Sequence, residues 1–190
     1  MGEWIDRRTV YEGAIIRVRA AEWRSADGRA RPFDIVEHHG GVAVVPLLGD
    51  RVVLVRQPRP VAGQALLEVP AGKLEGPNDD VEARAQAELG EEAGYRAGRL
   101  IPAAEFYVSP GYCTERIYVY LGLDLEPVAA EPEASEEIER VVLTLDEVRR
   151  MLDERQFHDS KTIIGLRELL AWLERQKQET GAAPPPGPSA

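Results

Sequence analysis

Three glutamates in the middle of the chain have the residue type and the spacing of a metal site. Glu88, Glu91 and Glu92 stand at positions i, i+3 and i+4, so a helix would carry all three on one face. Like charges at this spacing destabilise an isolated helix by about a few tenths of a kcal/mol per pair. A bound cation would offset that repulsion, and carboxylate oxygens favour Mg²⁺ or a similar hard ion. The alternative interpretation is a solvated acidic helix face, which is the commoner meaning of clustered glutamates.

The surroundings of these glutamates favour the metal site over the solvated face. An apolar, strand-like run at Leu66, Leu67 and Val69 leads into a glycine-rich loop. The glutamates follow on a predicted helix that ends at Gly94, where a left-handed C-cap requires glycine. The order of strand, glycine loop and acidic helix therefore predicts a site built from the loop and the helix together.

The segment from Gly72 to Tyr95 resembles the Nudix box: a glycine, a spacer, a glutamate, then Arg-Glu-apolar-x-Glu-Glu-x-Gly-apolar. The matching positions are Gly72, Glu88, Leu89, Glu91, Glu92, Gly94 and Tyr95. In that family the box glutamates bind the divalent ions that activate water against a pyrophosphate. The resemblance implies that Glu88 and Glu92 are metal ligands and that Glu91 holds a metal directly or through water. It also implies the carbonyl of Ala71 as a further ligand, with Mg²⁺ as the ion and Mn²⁺ as a substitute.

Two box positions depart from the family pattern. Ala87 stands where the family has arginine, and Asp79 stands where it has the first glutamate, after a spacer one residue longer than usual. In the family those two residues form a salt bridge that braces the loop against the helix. Both partners are altered together here, which is the nearly neutral way to lose a buried pair. We hypothesise that Arg84 substitutes in part by pairing with Glu88; an ordinary exposed i,i+4 pair is the alternative.

The resemblance extends from about Val10 to Leu170 and points to the ADP-ribose pyrophosphatase branch of the family. It is carried by residues 10–38, 52–72, 106–122 and 158–170. The implied fold is α/β: a Nudix α/β/α sandwich with a mixed sheet, plus a small N-terminal β-element through which those enzymes dimerise. The predicted organisation is a dimerisation element at 1–38, a hydrolase domain at 39–178 and a disordered proline-rich tail at 179–190.

The general base of this branch is a glutamate on a loop before the penultimate helix. The corresponding segment here, EPEASEEIER, contains Glu131, Glu133, Glu136, Glu137 and Glu139. The match favours Glu136 or Glu137, just before Ile138, and does not separate them. Such a run of charges is otherwise typical of a solvated loop.

Other residues are candidates for contacts with the substrate. Arg56 and Arg59 flank a proline turn and have the planar fork that suits phosphates; the alternative is a pair of surface arginines at a strand end. Glu68 is a candidate for a ribose hydroxyl or an outer metal. Pro110 and Gly111 are expected to shape the loop beside the terminal ribose. Tyr107 and Tyr112 are candidates for stacking on a base, although aromatic residues at such spacings are more often core.

The composition narrows the class of protein. The chain has 190 residues, enough for one compact domain with a modest appendage, and 44% hydrophobic residues support a sizeable core. A net charge of −10 argues against a protein that binds nucleic acid. The one cysteine, Cys113, makes no internal disulfide, and neither a signal peptide nor a membrane span is expected. These features predict a cytoplasmic protein.

The pattern of apolar residues predicts alternating strands and helices. Strands are expected at 14–23, 30–37, 41–48, 51–56, 116–123 and 140–145. Helices are expected from Asn78, as N-cap, to about Ala93, and at 145–154 and 160–177, with Thr144 and Ser160 as caps.

Three functions follow from the resemblance and the motifs. The leading one is metal-dependent hydrolysis of ADP-ribose to AMP and ribose 5-phosphate by a homodimer. The second keeps the chemistry and changes the substrate to another sugar nucleotide or dinucleotide. The third is a nucleotide-sugar sensor without catalysis, which the substitutions at Asp79 and Ala87 make conceivable.

Overall fold

A computed structural model describes residues 2–129 and 137–180 of the chain. The strands are β1 (Glu3–Glu12), β2 (Arg17–Arg24), β3 (Ala30–Glu37), β4 (Gly41–Leu48), β5 (Arg51–Arg59), β6 (Gln64–Glu68), β7 (Ala71–Lys73), β8 (Tyr95–Tyr107), β9 (Arg116–Pro127) and β10 (Glu139–Thr144). The α-helices are α1 (Val81–Glu88), α2 (Leu145–Asp153) and α3 (Ser160–Thr180); a short 3₁₀ turn follows β5 and a π-helix, Leu89–Ala93, follows α1.

The strands form two sheets. The first is antiparallel, in the order β1-β2-β3. The second runs β10-β5-β4-β9-β8, with β6 beside β5 and β7 beside β4. It is a mixed sheet because β4 and β9 pair in parallel, whereas the other pairs are antiparallel.

A split between β4 and β5 shapes the centre of the larger sheet. These strands pair with each other only next to the hairpin turn that joins them, at Leu47–Val52 and Leu48–Arg51. Beyond that point β6 pairs with β5 and β7 pairs with β4. The chain therefore passes from one strand to the other at Val69 and Pro70, between β6 and β7.

Helices cover both faces of the larger sheet. Because side chains alternate along a strand, Val42 and Val44 of β4 pack with α1 and the π-helix, whereas Ala43 and Val45 pack with α2 and α3. Burial on both faces explains why β4 and β5 read as continuous apolar runs. The predicted α/β/α sandwich is confirmed.

The caps of the helices partly differ from the prediction. Thr144 caps α2 in a capping box with Glu147, as expected. Helix α1 begins two residues later than predicted because Asp80, not Asn78, accepts hydrogen bonds from the amides of Glu82 and Ala83. Similarly, Asp159 rather than Ser160 caps α3, since its carboxylate accepts the amide N–H of Thr162 at 2.9 Å.

Three strands were missed by the pattern of apolar residues: β1, β8 and the three-residue β7, which lies where a glycine-rich loop was expected. β1 is almost wholly exposed, so it lacks the alternation that marks a half-buried strand. β8 carries glycine and proline along its length and bulges near Pro102. At the other end α3 continues to Thr180, two residues into the predicted tail, and residues 181–190 lie outside the described residues.

The N-terminal sheet is joined to the larger one through the turn between β8 and β9. The amide of Val36 donates to the carbonyl of Tyr112 at 2.7 Å, and the amide of Thr114 donates to the carbonyl of Val36 at 2.9 Å. The division at residue 38 remains a prediction. Among residues 2–129 and 137–180, no helix combines the length and the hydropathy that a membrane span needs.

Candidate active site

The carboxylates of Glu88 and Glu92 lie against the short strand β7. Glu88 and Glu92 are both 5% exposed. The amide N–H of Ala71 donates to Oε2 of Glu92 at 2.9 Å. Glu88 lies so close to Gly72 that a Cβ at that position would stand 1.5 Å from its Oε1. The box glycine is therefore required by the close approach of a carboxylate to the backbone.

Glu91 does not share this position. It borders a cavity on the outer side of the helix, together with Ala87 and Gly90. The prediction of one face assumed an α-helix, but the segment from Leu89 to Ala93 is a π-helix. Each π turn contains more residues than an α turn, so residue i+3 moves round the helix from residue i while residue i+4 stays close. The three carboxylates are therefore not gathered, and a metal role for Glu91 stays a prediction.

The register of β7 fixes the direction of the Ala71 carbonyl. Hydrogen bonds link Val44 to Pro70 and Leu74 to Gly40, so Ala71 occupies a non-hydrogen-bonded position opposite Ala43. Its N–H and C=O both point away from β4, and the N–H meets Glu92. The carbonyl thus faces the same side as the carboxylate.

These donors fit a hard divalent ion. Two buried carboxylates and a backbone carbonyl supply oxygen ligands, and Gly72 leaves the space that Glu88 occupies. Within the part of the chain that the structure describes, no group of three or more Asp, Glu, His or Cys side chains is arranged to hold a metal. The arrangement suits a hard divalent cation that completes its shell with water and substrate oxygens.

Arg84 pairs with Glu88, as hypothesised. Its Nη2 lies 2.5 Å from Oε1 of Glu88, and the two side chains are 30% and 7% exposed. The pair is thus largely shielded from water, unlike an ordinary surface i,i+4 pair.

The two substituted box positions have separate surroundings. Oδ2 of Asp79 accepts the amide N–H groups of Glu75 and Gly76 at 2.5 and 3.2 Å, and so closes the loop before α1. Ala87 borders the outer cavity beside Glu91. The loop is therefore held by backbone amides at the position where the family uses a salt bridge.

Glu68 is held by two cations inside the protein. Arg59 donates to both of its oxygens, at 2.7 and 2.8 Å, and Lys161 donates to Oε2 at 2.5 Å. Burial by itself would raise the pKa of Glu68, but the Arg59 hydrogen bonds and the Lys161 charge outweigh it and lower the pKa. The side chain is 1% exposed and faces its two cations, and a contact with a ribose hydroxyl or an outer metal stays a prediction.

The two arginines that were predicted to contact phosphates pair with carboxylates of the protein. Arg59 is the partner of Glu68, and Nε of Arg56 lies 3.3 Å from Oε2 of Glu139 across β5 and β10. The hydrogen bond to Glu68 raises the pKa of Arg59; burial opposes the shift, whereas the charges of Asp159 and Glu92 add to it. Arg59 thus lies within electrostatic reach of Glu92. Phosphate binding by either arginine stays a prediction.

The candidate bases lie ahead of β10. Glu131, Glu133 and Glu136 fall outside the described residues, whereas Glu137 is exposed. Nη1 of Arg140 donates to the carbonyl of Ala93 at 3.2 Å. The start of β10 is therefore tied to the end of the π-helix that carries Glu92.

A cavity of about 470 Å³ opens between the loop that follows β7 and the turn between β8 and β9. Tyr107 and Pro110 line it, as expected. Arg116 lies over the ring of Tyr107, 5.0 Å from its centroid, and donates to its hydroxyl at 2.7 Å. Gly111 and Tyr112 are exposed and do not border this cavity. The cavity combines an aromatic ring with a cation, as sites for a base or a sugar often do.

Comparisons with known proteins agree with this geometry. The family model of the NUDIX domain matches residues 37–164. An ADP-ribose pyrophosphatase of Bacillus subtilis (strain 168) is 30% identical over 178 residues, covering 91% of this chain and 96% of the relative. A methanol dehydrogenase activator of Bacillus methanolicus is 31% identical over 177 residues, covering 89% and 95%. The crystal structure of an ADP compounds hydrolase superposes with a TM-score of 0.81 at 22% identity, over 92% of this chain and 95% of that chain.

Proposed function

Because this chain belongs to the NUDIX family and is a Nudix pyrophosphohydrolase, we propose that it hydrolyses ADP-ribose to AMP and ribose 5-phosphate. Members of the family act on nucleoside diphosphate derivatives and generally use divalent metals. The observation that carries the proposal is the convergence of Glu88, Glu92 and the Ala71 carbonyl beside Gly72. The substrate is taken from the name of the Bacillus subtilis relative, which this chain matches over nearly its whole length.

The reaction adds one water molecule across the P–O–P bridge. A water oxygen bonds to one phosphorus, the bridging oxygen leaves with the other, and the water proton passes to a base. Mg²⁺ or Mn²⁺, when bound, would neutralise charge on the phosphates. Glu88, Glu92 and the Ala71 carbonyl would hold the ion, and Glu91 would contribute through water. The buried setting of the two carboxylates would orient them before substrate arrives.

We assign the base to the segment ahead of β10, as Glu136 or Glu137. The contact between Arg140 and the Ala93 carbonyl supports Glu137, because it brings the start of β10 to the helix that carries Glu92. Glu139 is a weaker candidate, since it pairs with Arg56.

We assign the cavity beside Tyr107 and Arg116 to the nucleoside or the terminal sugar. The guanidinium is already ordered by the Tyr107 hydroxyl and by Glu105 at 2.7 Å, so it would lose little freedom on binding. Pro110 would limit the size of the group that enters.

We propose a homodimer that forms through the N-terminal sheet. Val10 and Tyr11 of β1 and Ile15 of the turn that follows it are 52%, 57% and 61% exposed, and exposed apolar side chains grouped in one small element are typical of an interface. Trp4 packs edge-on against Trp23, with ring centroids 5.0 Å apart, and so adds an aromatic contact between β1 and β2. Sedimentation of the wild type and of a Tyr11→Asp variant tests the proposal; an unchanged mass in the variant would refute this interface.

We also propose a cytoplasmic protein that does not bind nucleic acid. The net charge of −10 opposes phosphate contacts over a long polymer. The free Cys113 suits a reducing compartment.

The first experiment is incubation of the purified protein with ADP-ribose and Mg²⁺, with AMP measured by chromatography. Glu92→Gln removes a proposed ligand, whereas Glu82→Gln, on the exposed first turn of α1, is the matched control. We expect AMP from the wild type and the control, and none from Glu92→Gln. Reaction in ¹⁸O-water would show which product phosphate receives the water oxygen.

The other outcomes distinguish the alternatives. Turnover of another sugar nucleotide or of a dinucleotide, with the same loss in Glu92→Gln, would keep the chemistry and correct the substrate. Binding of Mg²⁺ with no turnover of any of these compounds would favour the sensor.

A further inference from the structure

The first turn of α3 contacts the strand segment that leads into the proposed metal site. Asp159, Lys161 and Thr162 are in this turn, and none of them was among the candidate site residues of the sequence. They reach Glu68 and Val69, which lie 93 residues away along the chain. A sequence signal was present in Asp-Ser-Lys-Thr, which places a capping carboxylate beside a lysine at a helix start.

The amide of Val69 sits at the split between β4 and β5. β6 pairs with β5 up to Glu68, and β7 pairs with β4 from Ala71, so Val69 belongs to neither ladder. Its N–H donates instead to the hydroxyl oxygen of Thr162 at 2.9 Å. Both residues are fully buried, so this bond replaces a partner that water does not supply.

Thr162 is itself fixed. Its hydroxyl donates to Oδ2 of Asp159 at 2.5 Å while it accepts from Val69. The hydroxyl therefore uses a donor and an acceptor at once, and its orientation is set from both sides.

Lys161 fixes the residue before Val69. Its Nζ donates to Oε2 of Glu68 and, at 2.9 Å, to Oδ1 of Asp159. A lysine in the first turn of a helix is opposed by the helix dipole, so its place there needs a local reason. The two carboxylates provide one.

We infer that Thr162 and Lys161 are positioning residues for the divalent-ion site, acting through Glu68 and Val69 on the carbonyl of Ala71. Only Val69 and Pro70 separate Glu68 from Ala71 along the chain. Lys161 and Thr162 hold Glu68 and Val69 at the point where the chain stops pairing with β5 and starts pairing with β4. They therefore fix the edge at which the Ala71 carbonyl and Glu92 lie on the same side. The inference rests on the proposed function only in that both place the ion at this edge.

The test measures ion affinity and stability separately. Thr162→Val is close in shape and removes the hydroxyl, whereas Thr162→Ser restores it. Val148→Ala, in the buried core of α2, is the control for simple loss of stability. Mn²⁺ binding is followed by the electron paramagnetic resonance of the free ion, and unfolding by thermal melting. We expect Mn²⁺ affinity to fall about tenfold or more in Thr162→Val, and to stay within about twofold in Thr162→Ser and Val148→Ala.

A Thr162→Val protein that melts earlier, as Val148→Ala does, but binds Mn²⁺ like the wild type would overturn the inference. If Thr162→Val does not fold, Lys161→Met decides by the same measurement, with Lys161→Arg as its conservative partner. Weakened Mn²⁺ binding in Thr162→Val, together with a wild type that binds Mn²⁺ but leaves ADP-ribose intact, would support the inference and refute the proposed substrate. Unchanged binding in Thr162→Val, together with a wild type that cleaves ADP-ribose, would do the reverse.

Discussion

Glu68 and Glu92 are buried carboxylates that both lie next to residues 69–71, yet the groups around them differ. Arg59 and Lys161 donate hydrogen bonds of 2.5 to 2.8 Å to the oxygens of Glu68. They lower its pKa, although burial alone would raise it. Glu92 accepts the N–H of Ala71 and lies beside a second carboxylate, Glu88, on the same turn of helix. The first arrangement neutralises a charge with protein groups. The second brings two carboxylates together, with Arg84 beside Glu88, at the edge where we propose that a cation binds.

The largest expected effect is on catalysis at Glu92. Glu92→Gln keeps an oxygen that accepts the Ala71 N–H but removes a charge, so kcat/KM for ADP-ribose should fall on the order of 10³-fold. The free energy of unfolding should stay the same or rise, since a repulsion between carboxylates is relieved. Steady-state kinetics and urea unfolding of the same preparation check both expectations. A strongly destabilised variant would show that Glu92 is an anchor after all.

Glu68→Gln should have the opposite signature. It leaves Arg59 and Lys161 without their shared carboxylate in a largely buried setting, and so should lower the free energy of unfolding by about 3 kcal/mol. Urea unfolding measures this loss. Glu147→Gln, at an exposed helix cap, is a control that should cost less. A variant as stable as the wild type would mean that the network contributes nothing net.

Acid should erase the difference between the wild type and Glu68→Gln. A carboxyl group whose pKa is lowered on folding contributes stability that is complete above its unfolded pKa and is lost as pH falls through its folded pKa. The gap in unfolding free energy between the two proteins should therefore shrink as pH falls below the usual carboxyl pKa of about 4 and through the lowered pKa of Glu68. Unfolding curves at a series of pH values test this. A gap that grows in acid would reverse the sign and refute the assignment.

The smallest expected effect is at Arg84. Arg84→Met removes the cation that faces Glu88 and should weaken Mg²⁺ binding or turnover by about tenfold, while Arg84→Lys should recover part of the loss. Calorimetric titration with Mg²⁺ and the ADP-ribose assay provide the two readouts. Unchanged rate and affinity in Arg84→Met would make this an ordinary helix ion pair.

The sequence predicted several features that depend on neighbours along the chain, although it misplaced the caps of α1 and α3. The left-handed Gly94 closes the helix, Thr144 forms a capping box, and Arg84 reaches Glu88 one turn away. Each is a contact within four residues, which residue type and backbone geometry almost decide. The paired β4 and β5 runs followed equally from their apolar composition.

The sequence analysis missed features that tertiary packing, rather than local residue preference, determines. Glu91 was expected beside Glu88, but the π-helix turns it toward another cavity. The ion-pair network of Arg59, Glu68 and Lys161 was not foreseen because it joins distant parts of the chain, and a substrate contact by Arg59 or Glu68 stays a prediction. β1 was missed because an exposed strand has no buried face to mark it.

The sequence by itself determined the positions of the box carboxylates and of Gly72, through the resemblance to the Nudix box, and the layers of the fold, through that resemblance and the apolar runs. Only the tertiary structure decided which carboxylates face Ala71 and which carboxylate is an anchor. Two hydrogen bonds decide this: the Val69 amide donates to Thr162, and Lys161 donates to Glu68. Each joins residues that are 93 positions apart. Such contacts exist only once the sheet has split and α3 has packed against it, since no local preference brings those groups within reach.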